Sequence, residues 1–461
     1  MKRRIYTIAT AALTAAMAFG TGGCGKGQKT NYTSVEPDYS AAADTSVMHI
    51  GAWVAPRPAS SETETDYCTQ EQYDLVAESG INTIYGLYEP WGIAKDGKTA
   101  NERALQYAEN AGIGFYIRDL SAGAALIEQD SDTFHSVFDK YLGYESFKGA
   151  LVIDEPGTSK FGEIAQIKAG WDKFLPDKQC YVNLNPIVQT AAILGLKEGE
   201  NYRENYIRRF LEDTKMNVLS FDNYPMLVDG WGQPSIQPSF LLNLEICAEE
   251  ARRADVPLWV FIQAQSYDNS TRTPDTEDVR FQILCSMAYG VKGYQYFCYW
   301  TPSDDPNTTL AKSAMMTVDG KRTPIYYAAQ TVNREVLAMD HVFLNYEWQG
   351  TYPVLAEGNA KNKCFSMLGS PLTSHERISN VKSSEDLLIG TFKDSFDNDA
   401  FMVVNFSDPA LDKNCRAEIN LKGTSKAVLY NKGVRTEVEA KNGKLVLEIQ
   451  PGDGAFVVPL Q

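Results

Sequence analysis

The 461-residue chain is poor in the residues that bind metals and nucleotides. It has only four histidines, at positions 49, 135, 341 and 375, and they are scattered along the sequence. Its eight cysteines form no CxxC pair and no cluster with histidine, which is the spacing that structural zinc sites use. No glycine-rich phosphate turn follows an early strand pattern, as it does in dinucleotide-binding folds. We therefore predict no metal ion and no cofactor.

Positive charge is scarce as well. The chain has 59 Asp and Glu against 43 Lys and Arg, a formal net charge of −16, and no Lys/Arg-rich run follows the N-terminal MKRR. Nucleic-acid binding needs clustered basic side chains, so nucleic acid is not an expected partner. Aromatic residues, in contrast, are frequent, with 25 Tyr, 20 Phe and 7 Trp. Their flat apolar faces fill cores and also stack on sugar rings.

The first 24 residues have the pattern of an export signal. MKRR is followed by an apolar stretch too short to span a bilayer comfortably, and then by TGGC, which ends at Cys24. TGGC resembles the lipobox of bacterial lipoproteins, which implies a lipid on Cys24; plain secretion is the alternative. Residues 25–46 are polar, lack periodicity and predict a flexible tether. We predict an exported protein of the cell envelope that meets the membrane only through its lipid anchor.

Residues 47–345 alternate eight short apolar runs with helical patterns. Continuous apolar runs suit parallel strands that are buried on both faces. Eight strand–helix units over about 300 residues predict a (β/α)₈ TIM barrel, with a doubly wound open sheet as the alternative. The predicted strands are 48–56, 82–88, 114–119, 150–156, 179–186, 218–225, 257–265 and 292–300.

Residues 346–461 have a different pattern. Short strands with turn signals between them predict an all-β module, an antiparallel β-sandwich that follows the barrel.

The active site of a (β/α)₈ barrel lies at the C-terminal ends of its strands, so polar and aromatic residues there are candidates. A ring of acids, amides and aromatic faces suits a polyhydroxylated ligand, and we predict a carbohydrate substrate. In strand order the candidates are Trp53; Glu89 and Trp91; Asp119; Asp154 and Glu155; Asn183 and Asn185; Asp222 and Tyr224; Gln263 and Gln265; and Tyr299 and Trp300.

Two segments carry a resemblance to a known family. IDEP at 153–156 resembles the end of strand four in the clan of (β/α)₈ glycosidases that includes β-galactosidases and many endo-glycanases. FQILCSMAYGVKGYQYFCYW at 281–300 resembles the strand-eight segment of the β-galactosidase-like branch, and 318–336 resembles the segment after it. The resemblance implies hydrolysis of O-glycosidic bonds in an oligo- or polysaccharide, with Glu155 as general acid/base.

The two adjacent acids of IDEP are not equivalent. Successive residues of a strand point to opposite faces, so we expect only one of them to face the barrel mouth directly. Glu155 has the longer reach, and Asp154 is expected to orient it or to contact a sugar hydroxyl.

The chain departs from that clan at strand seven, where the clan keeps a second Glu as nucleophile. Here Ile262 and Gln263 stand at that place. Three interpretations remain open. Another carboxylate replaces the nucleophile, with Asp222 first and Glu89 and Asp119 behind it; or the enzyme inverts, with a water between carboxylates roughly 6.5–9.5 Å apart; or hydrolysis is lost and the protein is a non-catalytic carbohydrate-binding surface lipoprotein.

Overall fold

The structure is a computed structural model that describes residues 46–267, 270–303 and 312–460. The predicted signal segment, Cys24 and all but the last residue of the predicted tether lie outside the described residues.

Eight parallel strands form one sheet that closes on itself. The strands of this sheet are β1 (His49–Trp53), β2 (Thr83–Tyr85), β3 (Gly114–Ile117), β4 (Phe147–Asp154), β5 (Gln179–Asn183), β6 (Leu219–Asp222), β9 (Leu258–Gln263) and β10 (Gly293–Phe297). A separate short hairpin consists of β7 (Met226–Val228) and β8 (Pro234–Ile236). The order in the sheet is β5-β4-β3-β2-β1-β10-β9-β6. A bridge between Leu184 and Phe221 joins the two ends, and Leu184 N donates to Ser220 O at 2.9 Å. The predicted TIM barrel is confirmed.

Helices surround this sheet and begin where the sequence supplies capping groups. Thr69 accepts a hydrogen bond from Gln72 N at the start of α1, and Thr99 and Glu102 form a capping box at α2. The helices are α1 (Gln70–Glu78), α2 (Ala100–Ala111), α3 (Ala122–Glu128), α4 (Ser131–Leu142), α5 (Phe161–Phe174), α6 (Ala191–Leu194), α7 (Arg209–Thr214), α8 (Phe240–Ala254), α9 (Thr276–Met287), α10 (Pro324–Leu337) and α11 (Asp340–Phe343). Within the described ranges, no helix has the length and apolar character needed to cross a bilayer.

The C-terminal residues form two antiparallel sheets packed face to face, as predicted. Their strands are β11 (Tyr346–Val354), β12 (Ile378–Ser383), β13 (Leu387–Asp394), β14 (Asp399–Asn405), β15 (Cys415–Leu421), β16 (Lys426–Asn431), β17 (Val434–Glu439), β18 (Lys444–Ile449) and β19 (Gly454–Leu460). A six-stranded sheet, β11-β13-β14-β19-β16-β17, faces a three-stranded sheet, β12-β15-β18. Ile389, Val403, Ile419 and Leu447 lie in the core between them.

The other face of the six-stranded sheet packs on the barrel. Leu388, Phe392 and Met402 belong to the same buried cluster as the barrel core. Gly390 allows this close approach, since a Cβ there would lie 2.3 Å from the backbone oxygen of Ala288. The sandwich therefore supports the wall of the barrel.

Candidate active site

Strand β4 carries a one-residue bulge just before the acid pair. Leu151 aligns with Tyr181 and Ile153 with Val182, so Val152 is the extra residue, and Asp154 is level with Asn183. A bulge re-aims the side chains beyond it. Glu155 then takes a left-handed backbone conformation, with φ 46°, which interrupts the alternation of side chains. The expectation that only one acid faces the mouth rested on that alternation; both carboxyls are accessible to solvent, and the charges of both act on Asp222.

The unusual backbone of Glu155 is held on both sides. Its N–H donates to Asn183 O at 2.9 Å, and its carbonyl accepts from Asn185 Nδ2 at 2.7 Å. The hydroxyl of Tyr206 donates to the carbonyl of Pro156 at 2.7 Å. A left-handed conformation costs a non-glycine residue about 1–2 kcal/mol, and such strain persists where surrounding contacts fix it. Asn185, a predicted carbohydrate-binding candidate, thus holds the main chain of Glu155.

A chain of hydrogen bonds orients Asp222, which is 4% exposed. Gln295 Nε2 donates to Ser220 Oγ at 3.1 Å, and Ser220 Oγ donates to Asn183 Oδ1 at 3.1 Å. Asn183 must then turn its amide nitrogen to Asp222, and it donates to Asp222 Oδ1 at 3.0 Å. The carboxyl of Asp222 is also within hydrogen-bonding reach of the Glu155 carboxyl.

The electrostatics distinguish the acids at the mouth. Burial raises the pKa of Asp222 well above its usual range, and the charge and hydrogen bond of Glu155 raise it further. Burial, followed by the charge of Glu155, raises the pKa of Asp154 to about 7, while Asn183 and Arg118 oppose that shift. Asp154 is accessible to solvent, yet protein surrounds it on the wall of a cavity, and this enclosure favours its neutral form. The protonated form of Asp222 is therefore favoured, whereas Asp154 exchanges its proton near neutral pH.

The acids lie beside a cavity of about 300 Å³ at the barrel mouth. Its lining includes Trp53, Tyr88, Arg118, Leu151, Asp154 and Phe297. Beneath the mouth the interior is filled by aromatic rings, since the Tyr181 ring lies 5.0 Å from Tyr85 and 5.7 Å from Tyr116. The cavity is therefore a pocket with a floor, lined mainly by apolar and aromatic side chains, with Asp154 and Arg118 as its charged lining groups.

A second cavity, of about 400 Å³, lies between α8 and β11. Its charged groups are committed to the packing of the sandwich: Glu245 accepts from Gly369 N and Ser370 N, and Glu249 pairs with Arg203. The chemistry is concentrated at the barrel mouth instead.

The structure brings most of the predicted acids and amides together. Asp154, Glu155, Asn183, Asn185 and Asp222 form one contiguous group, defined here as the acid cluster. Around it stand Trp53 on the cavity wall, Tyr224 against Phe297 with ring centroids 5.8 Å apart, and Trp91 on the rim, 51% exposed.

Other predicted residues are turned away from the mouth. Asp119 accepts from Ser121 N at 2.9 Å and from the Tyr141 hydroxyl at 2.6 Å, so it closes a turn after β3. Glu89 is 3% exposed, and a Cβ on Gly86 would lie 2.7 Å from its Oε2. Neither carboxyl is placed to replace the missing nucleophile, which corrects the prediction that they stand behind Asp222.

Four predicted binding residues on β9, β10 and the segments after them are fully buried, which corrects their assignment as ligand contacts. Gln263 accepts a hydrogen bond from Met226 N at 3.0 Å and donates to Met226 O and Arg272 O at 3.3 and 2.9 Å. Its side-chain amide therefore links the main chain at Met226 to the main chain at Arg272. Gln265, Tyr299 and Trp300 are 0% exposed. The rings of Tyr299 and Trp300 fill the core and offer no face to a sugar.

Sequence reasoning passed over Tyr88, Arg118, Tyr267 and Phe297. Arg118 is next to Asp119 at the end of β3, and its position as a lone cation in a row of acids and amides is the sequence signal by which it can be found. Phe297 and Tyr267 pack against Tyr224, with centroids 5.6 Å apart between Phe297 and Tyr267. Their place follows from the closure of the barrel, which no local pattern reveals.

Among the described residues, no group of three or more His, Cys, Asp and Glu side chains has an arrangement that could hold a metal ion. All seven described cysteines are buried free thiols. The chemistry available at the mouth is thus that of carboxyl groups, amides and aromatic faces.

Fold and site together define a (β/α)₈ barrel with a carboxyl-rich mouth and a C-terminal β-sandwich. No family model and no curated protein matches the chain. Solved structures of glycoside hydrolases of the TIM-barrel type are similar to it. A family 39 glycoside hydrolase from Bacteroides cellulosilyticus WH2 has 14% identity over 91% of this chain and 81% of that one, with a TM-score of 0.48.

Two further solved structures are similar to this chain over different shares of its length. An α-amylase from Anoxybacillus has 10% identity over 92% of this chain and 99% of its own, with a TM-score of 0.48. A β-galactosidase from Marinomonas ef1 has 10% identity over 66% of this chain and 62% of its own, with a TM-score of 0.44. At such values these similarities do not identify a substrate or a reaction, so the activity has to be inferred from the side chains at the mouth.

Proposed function

We propose that this protein is a glycoside hydrolase that cleaves O-glycosidic bonds at the barrel mouth. The observation that carries the proposal is the acid cluster: it contains three carboxyl groups, two of them with raised pKa values, and one of these, Asp154, lines a cavity together with Trp53, Tyr88 and Phe297. Glycoside hydrolysis needs one carboxylic acid to protonate the leaving oxygen and one carboxylate to act as base or nucleophile. Aromatic faces at the same place suit sugar rings.

Glu155 and Asp222 supply the proton in this proposal. The raised pKa of Asp222 favours its protonated form; Asp222 lies within hydrogen-bonding reach of Glu155 and is too buried to meet a sugar. Glu155 is exposed at the mouth and delivers the proton to the glycosidic oxygen, with Asp222 as the group that replenishes it. From the sequence, Asp222 was predicted to be the second carboxylate in contact with substrate. We assign that role to Asp154 instead.

Asp154 is the second carboxyl of the reaction. It stands on the cavity wall and its pKa is about 7, so near neutral pH a large fraction is ionised and can activate a water. Arg118 favours that ionised form.

One observation favours a second candidate function, a carbohydrate-binding protein without turnover. Gln263 stands where the resembling clan keeps its nucleophile, and its amide is fully engaged in main-chain hydrogen bonds. A barrel whose nucleophile became a structural amide could retain sugar binding alone.

Turnover and binding, measured together on glycans and aryl glycosides, separate the two. We expect the wild type to hydrolyse at least one class, and Glu155→Gln and Asp154→Asn each to lose about 10²–10⁴-fold in kcat with little change in binding. Glu163→Gln is the matched control, because Glu163 on α5 is partly exposed and, among the described residues, forms an ion pair with Lys160 alone. Binding without turnover in the wild type would establish the binder, and absence of both would reject both proposals.

We also propose that the protein is exported and anchored through a lipid on Cys24. The support is the TGGC sequence after a basic and apolar segment. Metabolic labelling with a fatty acid should mark the wild type and leave Cys24→Ala unlabelled; label on neither would leave plain secretion.

A further inference from the structure

Two arginines stand over aromatic rings on one side of the barrel mouth. The guanidinium of Arg118, directly after β3, lies 5.5 Å from the centroid of Trp91. The guanidinium of Arg57 lies 5.1 Å from the centroid of Tyr88. Tyr88 and Trp91 belong to the same loop after β2, and the charges of both arginines act on the Tyr88 hydroxyl. The four residues form one group, defined here as the arginine rim.

Neither guanidinium has a direct ion-pair partner among the described residues, and their charges act at longer range on Glu64, for Arg57, and on Asp154 and Glu89, for Arg118. Within residues 46–267, 270–303 and 312–460, no carboxylate oxygen lies within 4.0 Å of Arg57 or Arg118, and neither guanidinium makes a hydrogen bond. Other partly buried arginines are all paired: Arg103 with Asp66, Arg272 with Asp278, and Arg280 with Glu335. In a chain with 16 more acidic than basic residues, two unpaired arginines side by side are conspicuous.

Stacking on a ring uses the flat face of a guanidinium and leaves the N–H groups at its edge available. That edge is a fork that matches the two oxygens of a carboxylate, and a guanidinium always carries its charge. Arg118 lines the same cavity as Asp154, and its charge acts on Asp154 without a direct ion pair. A ligand in the cavity therefore reaches the Arg118 fork and the acid cluster at the same time.

We propose that the mouth binds an acidic sugar, with the carboxylate of a hexuronic acid held by Arg118 and the charge of Arg57 beside it. The anionic group sits against Arg118 and Tyr88, and the charge of Arg118 offsets that of Asp154 on the same cavity wall. This inference rests on the proposed carbohydrate-binding mouth and adds the substrate class to it. A sulfated sugar would present the same charge but with tetrahedral geometry.

Equilibrium binding to the purified full chain tests the inference, with three groups of ligands: neutral oligosaccharides, oligo-uronides and sulfated oligosaccharides. We expect oligo-uronides to bind at least 10-fold more tightly than neutral ligands of the same length, with an affinity that falls as NaCl rises. Arg118→Gln should lower uronide affinity by roughly 10- to 100-fold, because a charge-assisted hydrogen bond pair is lost. Arg118→Lys, which keeps the charge but not the fork, should fall between wild type and Arg118→Gln.

Arg322→Gln is the matched control. Its guanidinium also stands over aromatic rings, 5.6 Å from the Tyr326 centroid and 5.4 Å from that of Tyr327, but it lies just before α10 and does not line the cavity. It should leave the uronide affinity unchanged. Binding of neutral sugars without preference for uronides would overturn this inference and leave the proposed function standing, whereas binding of no sugar would overturn the proposed function itself. Preference for sulfated over carboxylated ligands would also overturn the assignment to a uronic acid.

Discussion

Asn183 donates a hydrogen bond to Asp222 at 3.0 Å, and Ser220 determines which end of the Asn183 amide faces that acid. The same amide lowers the pKa of both Asp154 and Asp222, because an N–H group stabilises the ionised form of a carboxyl. Asn183 is thus a positioning residue that sets the protonation of two acids at once.

The first prediction concerns this amide. Asn183→Ala should raise the pKa of Asp154 above about 7 and that of Asp222 further, because a donor to the charged forms is gone. If ionised Asp154 is required for turnover, the acidic limb of the pH–rate profile moves to higher pH. The profile of kcat against pH is the measurement, and Asn345→Ala is the control, since exposed Asn345 donates to His341 O far from the mouth. An acidic limb that stays in place, or moves to lower pH, would exclude this role of Asn183.

How far sequence reasoning reached depends on whether a feature is local or long-range. The eight strands, the barrel and the sandwich were predictable because apolar runs, helix caps such as Thr69 and turn signals are written in short windows. The position of IDEP at the end of strand four followed from counting. The hairpin of β7 and β8 was missed, because three-residue strands carry too little pattern.

The arrangement within the site was less predictable, for a specific reason. The bulge at Val152 and the left-handed Glu155 break the two-residue period on which any assignment of faces relies. Likewise, Gln263 and Trp300 stand at strand ends as binding residues would, yet closure of the barrel buries them. Local spacing selects candidates, whereas the tertiary packing decides which of them meet the cavity.

The second prediction uses the strain at Glu155. Glycine adopts φ 46° without the steric cost that any side chain with a Cβ incurs. Glu155→Gly should therefore be more stable than Glu155→Ala by about 1 kcal/mol, measured as the free energy of unfolding in urea. Both should lose hydrolysis. The same pair of substitutions at Glu163, inside α5, should give the opposite order, because glycine destabilises a helix. Equal stability of the two Glu155 variants would contradict the left-handed backbone at this residue.

The third prediction concerns the apparent nucleophile position. Gln263→Glu should not create hydrolytic activity, because the side chain points at main-chain groups and not at the cavity. It should lower the free energy of unfolding by roughly 1–3 kcal/mol, since a Glu oxygen would replace the NH₂ that donates to Met226 O and Arg272 O. Chemical denaturation measures the change in stability, and an assay on aryl glycosides measures the activity.

Gln233→Glu, on the exposed β7–β8 turn, is the control and should change neither the stability nor the activity. A gain of turnover in Gln263→Glu would show that this position reaches the substrate.

The fourth prediction concerns Glu89, whose carboxyl oxygens are buried without a hydrogen-bond partner among the described residues. Burial raises its pKa from 4.5 to about 7. A raised pKa means that the folded state holds the proton more tightly than the unfolded state, so stability is full below pH 4.5 and falls as pH rises to about 7. Over that window Glu89 should remove about 3 kcal/mol from the free energy of unfolding.

Glu89→Gln removes this titration, so its stability should fall less steeply between pH 4.5 and 7 than that of the wild type. The comparison uses the slope, because a buried amide without a partner carries its own cost at every pH. Denaturation in urea at a series of pH values measures the slope, and Glu128→Gln, at an exposed position of α3, should keep the wild-type slope. Parallel curves for wild type and Glu89→Gln would mean that Glu89 finds a cationic or hydrogen-bonding partner in solution. A flatter curve would establish that Glu89 gains proton affinity on folding, and the neutral form of Glu89 leaves the charge of Arg118, which acts on it, available to a ligand.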